Sequence, residues 1–532
     1  MTDHPNRSIG QISQISPMQP PRPIRFVHRG QIQQVEGLPP TTTVLQWLRE
    51  QARCTGAKEG CAEGDCGACT VVVAELDETT GELQRRTLNS CIQFLPTLDG
   101  QALFTVEDVT ELGRQASPDG DGLHPCQQAL VDCHGSQCGF CTPGFVMSLW
   151  HAYEQSPTAL PRPALADALA GNLCRCTGYR PILDAGERMH DAPRVTLDEA
   201  PVRALLQQLA DTSGNGLVYE GPSRSQPGTR QRFHSPRTLD ELAELRAALP
   251  QARLLAGSTD IGLWVNKQFR ELGEVIHLGR VRELQTTELQ AASDAAPATL
   301  LIGAGASLES AWSALSAHLP ALKEIWLRFA SPPVRHAGTM GGNVANGSPI
   351  GDSAPILLAL DASLVLRLGQ ATRELPLSAF YLDYMKNDLR PGEFVQAIRV
   401  PLLTAAAAGE HLRAYKVSKR RDSDISSVCA GLYLRLEGER IAEARLGWGG
   451  LAGTARRAPA TEAALVGQAW SEATLRAAQA ALAQDFQPLT DLRASASYRL
   501  RTARNLLERF WLETRPDAPL PASAVQVWPA TC

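Results

Sequence analysis

No stretch of this chain stays apolar for long. The longest uninterrupted runs, such as Ile356 to Leu360, fall far short of a bilayer span, and no charged segment leading into an apolar one opens the chain. Nor is one sign of charge in excess. A net charge of -5 and a pI near 6.2 give no basis for binding nucleic acid or an anionic membrane. The expectation is a cytoplasmic protein with neither a membrane nor a nucleic-acid partner. Hydrophobic residues at 43% and charged residues at 20% are ordinary for a globular chain. At 532 residues the chain exceeds a single core, and a prior of about 150 residues per domain predicts roughly three or four domains. What it does hold is cysteine, 13 in all, and in a reducing compartment that number points to metal binding rather than to disulfides.

The densest group is Gly60-Cys61-Ala62-Glu63-Gly64-Asp65-Cys66-Gly67-Ala68-Cys69-Thr70. The spacing C-x4-C-x2-C with a more distant fourth thiol, Cys91, is the plant-type ligation pattern of a 2Fe-2S cluster. Glycines between the thiols let backbone N-H groups approach cluster sulfides and permit positive φ. Zinc more naturally takes two separated C-x2-C pairs, and a disulfide framework belongs in a small secreted chain. A second group pairs Cys138 and Cys141, in Gln137 to Gly144, with Cys174 and Cys176. Phe145, Val146, Leu149, Trp150 and Tyr153 recur at helical spacing after the first pair. Leu165, Leu169 and Leu173 do so before the second pair, and Ile182, Leu183 and Ala185 follow it. Four thiolates at helix ends can hold a second 2Fe-2S centre, although by motif alone a redox C-x2-C pair or a zinc site competes. Cys54, Cys126, Cys133, Cys429 and Cys532 have no ligand-spaced partners and are expected to be inert.

Along the chain, residues 1–23 are rich in Gln, Ser and Pro without periodicity and read as a disordered extension. Alternation at Ile24 to His28 and Gln31 to Val35 around Arg29-Gly30 predicts a hairpin, and Thr43 predicts an N-cap for a helix from Val44. Thr70 to Ala74 and Leu98 to Thr105 read as returning strands. The sequence therefore predicts a plant-type ferredoxin-like domain over 24–108, a helical 2Fe-2S domain over 109–190 and a linker over 191–232, with a helical segment near Val202 to Leu209. From Thr238 an α+β pattern begins. A short strand through Leu254, Leu255 and Ala256 breaks into Gly257-Ser258-Thr259-Asp260 and enters a helix from Ile261 to Phe269, a junction suited to an anion. Gly303-Ala304-Gly305 lacks the third glycine of a Rossmann fingerprint and reads as a strand end. Beyond Glu410, strands through Tyr415, Val417 and Val428 to Leu434 precede helices over Thr461 to Ala483 and Ser495 to Leu512.

The run Gly60 to Cys69, the run Gln137-Cys138-Gly139-Phe140-Cys141-Thr142-Pro143-Gly144 and the run Cys174-Arg175-Cys176-Thr177-Gly178-Tyr179-Arg180-Pro181-Ile182 resemble the iron-sulfur half of the molybdenum hydroxylases, the xanthine dehydrogenase and aldehyde oxidase family. Gly338-Thr339-Met340-Gly341-Gly342-Asn343 on to Ser348-Pro349-Ile350-Gly351-Asp352 resembles that family's FAD loop. The resemblance implies a non-Rossmann α+β FAD-binding domain over 233–405, a flavoprotein C-terminal α+β domain of three strands and packed helices over 406–516, and a tail over 517–532. It implies that Leu254, Leu255, Ala256, Gly257, Ser258, Thr259 and Asp260, with Thr339, Gly341, Gly342 and Asn343, hold the FAD pyrophosphate. It further implies that Phe329 packs on the isoalloxazine ring and that Asp352, Val395 and Lys416 are further contacts. Arg335 and His336 could be catalytic by residue type but are expected to take structural or cofactor-positioning roles, and the rest of the basic run Lys416 to Arg421 stays unassigned. No catalytic side chain is expected here, because two one-electron clusters beside a flavin form an electron relay. Nothing in the chain resembles the molybdopterin-binding domain, so the resemblance implies a separate large molybdenum subunit and an assembly that is a dimer of heterodimers. Electrons would run from molybdenum to the second cluster, the first cluster, FAD and NAD+. The domain order best fits the members that oxidise hypoxanthine and xanthine to urate, with hydroxylation of another N-heterocycle or aldehyde, or a non-catalytic redox sensor, as alternatives.

Overall fold

Strand β3, Thr70–Leu76, is apolar on both faces because both are covered. Val71 and Val73 join one core with Phe26, Trp47, Leu217, Tyr219 and Leu255, while Val72 and Ala74 join another with Phe145, Leu149, Trp150 and Leu165. The computed structural model describes residues 20–525 except 118, 120–121, 214–215, 294–296 and 404–408. Of the extension expected over 1–23, residues 1–19 lie outside the described residues, whereas Arg22 pairs with Asp99 at 2.7 Å. Residues 526–532 of the expected tail also lie outside them.

The first sheet runs β2-β1-β5-β3-β4, built from β1 (Ile24–His28), β2 (Gln31–Val35), β3, β4 (Leu83–Asn89) and β5 (Ala102–Phe104), with β1 and β5 parallel. Helix α1 (Val44–Glu50) is closed by a capping box between Thr43 and Gln46. The strand expected from Leu98 begins only at Ala102, because Leu95–Leu98 closes into a 3-10 turn. Five helices follow: α2 (Val106–Ala116), α3 (Pro125–Asp132), α4 (Thr142–Gln155), α5 (Arg162–Ala168) and α6 (Arg180–Arg188). Leu173 shares the spacing of α5 but leaves the helix, since the Leu173 N-H is taken by the Cys66 carbonyl at 3.0 Å.

The stretch expected as linker, 191–232, is largely ordered. It carries α7 (Glu199–Ser213), β6 (Leu217–Pro222) and the start of β7 (Arg230–Ser235). β6 and β7 open a four-stranded sheet, β6-β7-β9-β8, completed by β8 (Arg253–Leu255) and β9 (Val275–His277) around α8 (Leu239–Ala248) and α9 (Ile261–Asn266). A five-stranded sheet follows, β10-β11-β16-β12-β13, from β10 (Thr287–Gln290), β11 (Thr299–Gly303), β12 (Ser363–Leu368), β13 (Ala371–Pro376) and β16 (Phe394–Pro401). Between its strands lie α10 (Leu308–His318), α11 (Lys323–Arg328), α12 (Pro332–Ala337), α13 (Met340–Asn346), α14 (Ser353–Ala359), α15 (Leu377–Phe380) and the hairpin β14 (Tyr381–Asp383) to β15 (Lys386–Asn387).

The last sheet is β17 (Glu410–Val417), β18 (Val428–Glu437), β19 (Arg440–Gly449) and a two-residue β20 (Arg456–Arg457), one strand more than expected. The helix expected over Thr461 to Ala483 divides into α16 (Pro459–Leu465) and α17 (Glu472–Asp485), because Gly467 turns at φ +81°. α18 (Ala496–Thr514) completes that layer. A Cβ at Gly447 would lie 1.9 Å from the Pro355 carbonyl oxygen, so glycine there lets α14 lie directly on the sheet. Among the described residues no helix is long and apolar enough to cross a membrane.

Candidate functional site

The loop between α1 and β3 curls through Ala62, Gly64 and Gly67, all at positive φ, and brings Cys61, Cys66 and Cys69 onto Cys91. Cys61 meets both Cys66 and Cys91, and Cys91 meets Cys69, so the four sulfurs form one string. The Cys66 N-H donates to Cys61 Sγ at 3.4 Å, and Asn89 Nδ2 lies 3.8 Å from Cys69 Sγ. Hydrogen bonds from Cys66 and Cys91 hold the Cys61 thiol far below its ordinary range, and one from Cys91 lowers Cys69. The same contacts push Cys66 and Cys91 well up. Four thiolates this close need positive charge among them. Among the described residues no three His, Cys, Asp or Glu side chains close on a single point as ligands of one ion would. A string of sulfurs suits a centre with more than one metal.

The second group pairs Cys138 with Cys176 and Cys141 with Cys174. Cys141 is the N-cap residue of the 14-residue α4. Burial, then the neighbouring Cys174, pushes Cys141 up to about 12. Cys174 is lowered in spite of its burial, because Thr177 donates to its Sγ at 3.3 Å. Cys138 and Cys176 are exposed while Cys174 is buried, so this group opens to the surface on one side.

The two thiol loops touch. The Leu173 N-H donates to the Cys66 carbonyl at 3.0 Å, one residue before Cys174. Asn172 Nδ2 reaches the Gly67 carbonyl at 3.1 Å, and Asn172 Oδ1 accepts from Ser148 Oγ at 2.7 Å. The approach requires glycine: a Cβ at Gly67 would sit 2.1 Å from the Gly171 oxygen, and one at Gly144 would sit 2.1 Å from the Gly67 oxygen. Asn172 and Ser148 escaped the sequence reading, since neither spacing nor residue type marks them.

On the other side of the first sheet lies a cavity of ≈ 350 Å³, within the range of small-ligand sites. Leu254, Ala256, Gly257, Ser258, Thr259 and Asp260 line it from the loop after β8, Thr339, Gly341, Gly342 and Asn343 from the start of α13, and Val395 from β16. The loops interlock, as a Cβ at Gly257 would lie 1.8 Å from the Ala337 oxygen. Ser258 Oγ and Asn343 Oδ1 are buried without a hydrogen-bond partner. Orphaned polar atoms on a cavity wall are what a bound polar ligand such as FAD would satisfy. Burial raises the Asp260 carboxyl.

Four expected contacts lie off the cavity wall. Leu255 is in the core, and Phe329 packs on Trp312 with ring centroids 5.9 Å apart. Asp352 and Lys416 form their own buried cluster: Lys416 Nζ donates to Asp352 Oδ2 at 2.5 Å and to Ser426 Oγ at 2.9 Å, and Ser426 Oγ donates to Asp352 Oδ1 at 2.5 Å. Arg335 pairs with Glu309 and donates to the Phe329 carbonyl at 3.0 Å. His336 Nδ1 lies 3.0 Å from Thr87 Oγ1 at the domain junction, so neither residue lines the cavity. The wall also includes Arg246, Arg253, Trp264, Leu278, Leu389 and Phe394, which the sequence reading missed. Arg253 and Arg270 flank the Trp264 ring at 5.2 and 5.1 Å. A tryptophan one turn into α9 was the available signal.

Four family models match the chain. They are the 2Fe-2S iron-sulfur cluster binding domain over 26–95, the 2Fe-2S binding domain over 105–187, the FAD binding domain in molybdopterin dehydrogenase over 228–403 and the CO dehydrogenase flavoprotein C-terminal domain over 413–514. The chain is 32% identical to xanthine dehydrogenase of Emericella nidulans, with 92% of this chain and 38% of that protein covered. It is 30% identical to aldehyde oxidase 4 of Cavia porcellus, with 82% of this chain and 35% of that protein covered. It thus spans well under half the length of these curated relatives. Among solved structures, a carbon monoxide dehydrogenase chain from Hydrogenophaga pseudoflava gives a TM-score of 0.48 at 29% identity, covering 52% of this chain and 94% of that one. With two iron-sulfur models and two flavoprotein models matched in succession and xanthine dehydrogenases among its relatives, the chain belongs to the molybdenum hydroxylase family, as a part that carries the iron-sulfur and FAD-binding domains.

Proposed function

We propose that the chain is the electron-relaying small subunit of a xanthine dehydrogenase, receiving electrons from a molybdopterin-bearing partner that oxidises hypoxanthine and xanthine to urate and passing them to NAD+. The observation that carries this reading is the direct bond between the thiol loops, the Leu173 N-H to the Cys66 carbonyl at 3.0 Å. In this reading Cys61, Cys66, Cys69 and Cys91 hold one 2Fe-2S cluster, Cys138, Cys141, Cys174 and Cys176 hold a second, and the cavity between the loops after β8 and before α13 holds FAD. Such clusters carry single electrons and a flavin combines them in pairs.

The residues present suit those roles. Cys69 and Cys91 are 1% and 2% exposed, so the inner half of the first group is shielded from water, while Cys61 and Cys66 are half-buried. The second group opens outward beside Phe140 and Tyr179, which are 46% and 40% exposed, an apolar rim suited to a docked partner. We assign that face to the molybdenum subunit, in a cytoplasmic dimer of heterodimers. The 30% identity to aldehyde oxidase 4 favours one second reading, an aldehyde as the partner's substrate. The test is xanthine-dependent reduction of NAD+ by the complex that co-purifies with this chain from its native cell. Turnover with molybdenum in the partner is the expected result. A complex silent with xanthine whose visible absorption bleaches with an aldehyde would transfer the relay to the second reading.

A further inference from the structure

The helix that starts in the flavin cavity ends on the first thiol loop. α9 contributes Ile261 and Trp264 to the cavity wall. At its last residue, Asn266 Nδ2 donates to the Cys91 carbonyl at 2.7 Å and to the Ala62 carbonyl at 3.1 Å. Cys91 is itself one of the four thiols and Ala62 follows another, so one amide grips the backbone at both sides of the group. A bond of the opposite sense lies alongside. Gln93, two residues past Cys91, donates from Nε2 to the carbonyl of Gly257 at 2.7 Å, and Gly257 lines the cavity. Between the two amides the Ile92 backbone presses on α9, where a Cβ at Gly262 would fall 2.7 Å from the Ile92 oxygen.

We propose that Asn266 and Gln93 are positioning residues that lock the first thiol loop and the flavin cavity into one register, so that a flavin-domain side chain sets the electronic properties of the first cluster. The inference rests on the cofactor assignment above. Its physical basis is that a hydrogen bond to a ligand's own peptide fixes that peptide plane and polarises it, and outer contacts of this kind tune a metal centre and its retention. Nothing in the arrangement reaches Cys138, Cys141, Cys174 or Cys176 directly, so the effect belongs to one cluster.

The experiment is a reductive titration of the full-length holoprotein followed by electron paramagnetic resonance, in wild type, Asn266→Ala, Gln93→Ala and the double variant. Asn266→Leu, which keeps the side chain's size and removes its donors, covers the case in which alanine impairs folding. The expected result is that the Asn266 variants shift the midpoint potential and line shape of the first 2Fe-2S signal, leave the second signal unmoved and lose iron to a chelator about tenfold faster. The double variant also binds FAD more weakly in a fluorescence titration. First-cluster signals that superimpose on wild type in potential and shape across all variants would overturn the proposal. A wild-type protein with no 2Fe-2S signal would remove the cofactor assignment, and the inference with it.

Discussion

Lys416 shows how much a single buried charge is asked to do. Its side chain is 1% exposed, and among the described residues the carboxylate it pairs with is that of Asp352, itself 7% exposed. The pair is completed by Ser426, which bonds both partners. Removing the cation leaves a buried carboxylate with a hydroxyl for company, so Lys416→Met is expected to lose about 3–5 kcal/mol in denaturant unfolding. A loss below about 1 kcal/mol would show that the cluster is neutralised by another route. The residue scale is also where sequence and structure part most sharply. Cysteine spacing marks its own chemistry, because four thiols at ligand intervals have few other uses. Asp352 caps the start of α14 and Lys416 lies on β17, and their pairing was not legible from local pattern; only the family resemblance singled them out. Asn172 and Asn266 carried no signal at all, since an asparagine that holds a distant carbonyl looks like any other loop or helix-end residue.

Elements were legible where their own ends declare them. Thr43 with Gln46 and Thr238 with Glu241 are capping boxes whose two halves sit three residues apart, and the helix expected from Val44 begins there. The strands Ile24–His28 and Gln31–Val35 were equally plain, from alternation around Arg29-Gly30. Elements that depend on partners were not. β4 reads Leu-Gln-Arg-Arg-Thr-Leu-Asn, yet it is a strand because it pairs antiparallel with β3 along its whole length, where Arg86 meets Glu75 while Arg85 reaches Glu199 of α7. β6 was lost inside an expected linker, although Leu217 and Tyr219 are buried and the Tyr219 hydroxyl donates to the Leu38 carbonyl at 2.6 Å. The helix continued through Leu173 on spacing alone stops early because a contact to the other thiol loop outweighs one more helical turn.

The whole molecule is held at junctions between its parts, and these are rich in buried polar groups. Glu75 of β3 meets Arg86 of its own sheet and Arg280 and Arg282 from beyond β9. Against the cost of burial, Arg86, Arg282 and Arg280 hold its carboxyl far below the usual range, so this junction stays charged in mild acid. The histidines beside it behave otherwise. His151 on α4 and His336 on α12 pack with ring centroids 5.7 Å apart and their planes tilted by 58°. Burial lowers His151 to about 4 and, with His151 as neighbour, lowers His336 to about 3, from 6.5. Above pH 6.5 both are neutral folded or unfolded and stability is full. As the pH falls through 6.5 the unfolded chain takes up protons that the folded chain refuses, and stability is lost progressively toward pH 4. The loss for His151 alone approaches about 3 kcal/mol. A melting temperature that drops between pH 7.5 and pH 5 and recovers on return is expected, and one that stays level would contradict the buried, neutral pair.

The central claim is that two separate four-thiol groups each hold a 2Fe-2S cluster. Iron analysis with electron paramagnetic resonance of the reduced protein tests it most directly, in wild type and in Cys138→Ser. The account predicts about four irons per chain and two distinct signals in wild type, falling to about two irons and the first signal alone in Cys138→Ser. A Cys138→Ser protein that keeps both signals, or a fully loaded wild type that shows only one, would contradict it.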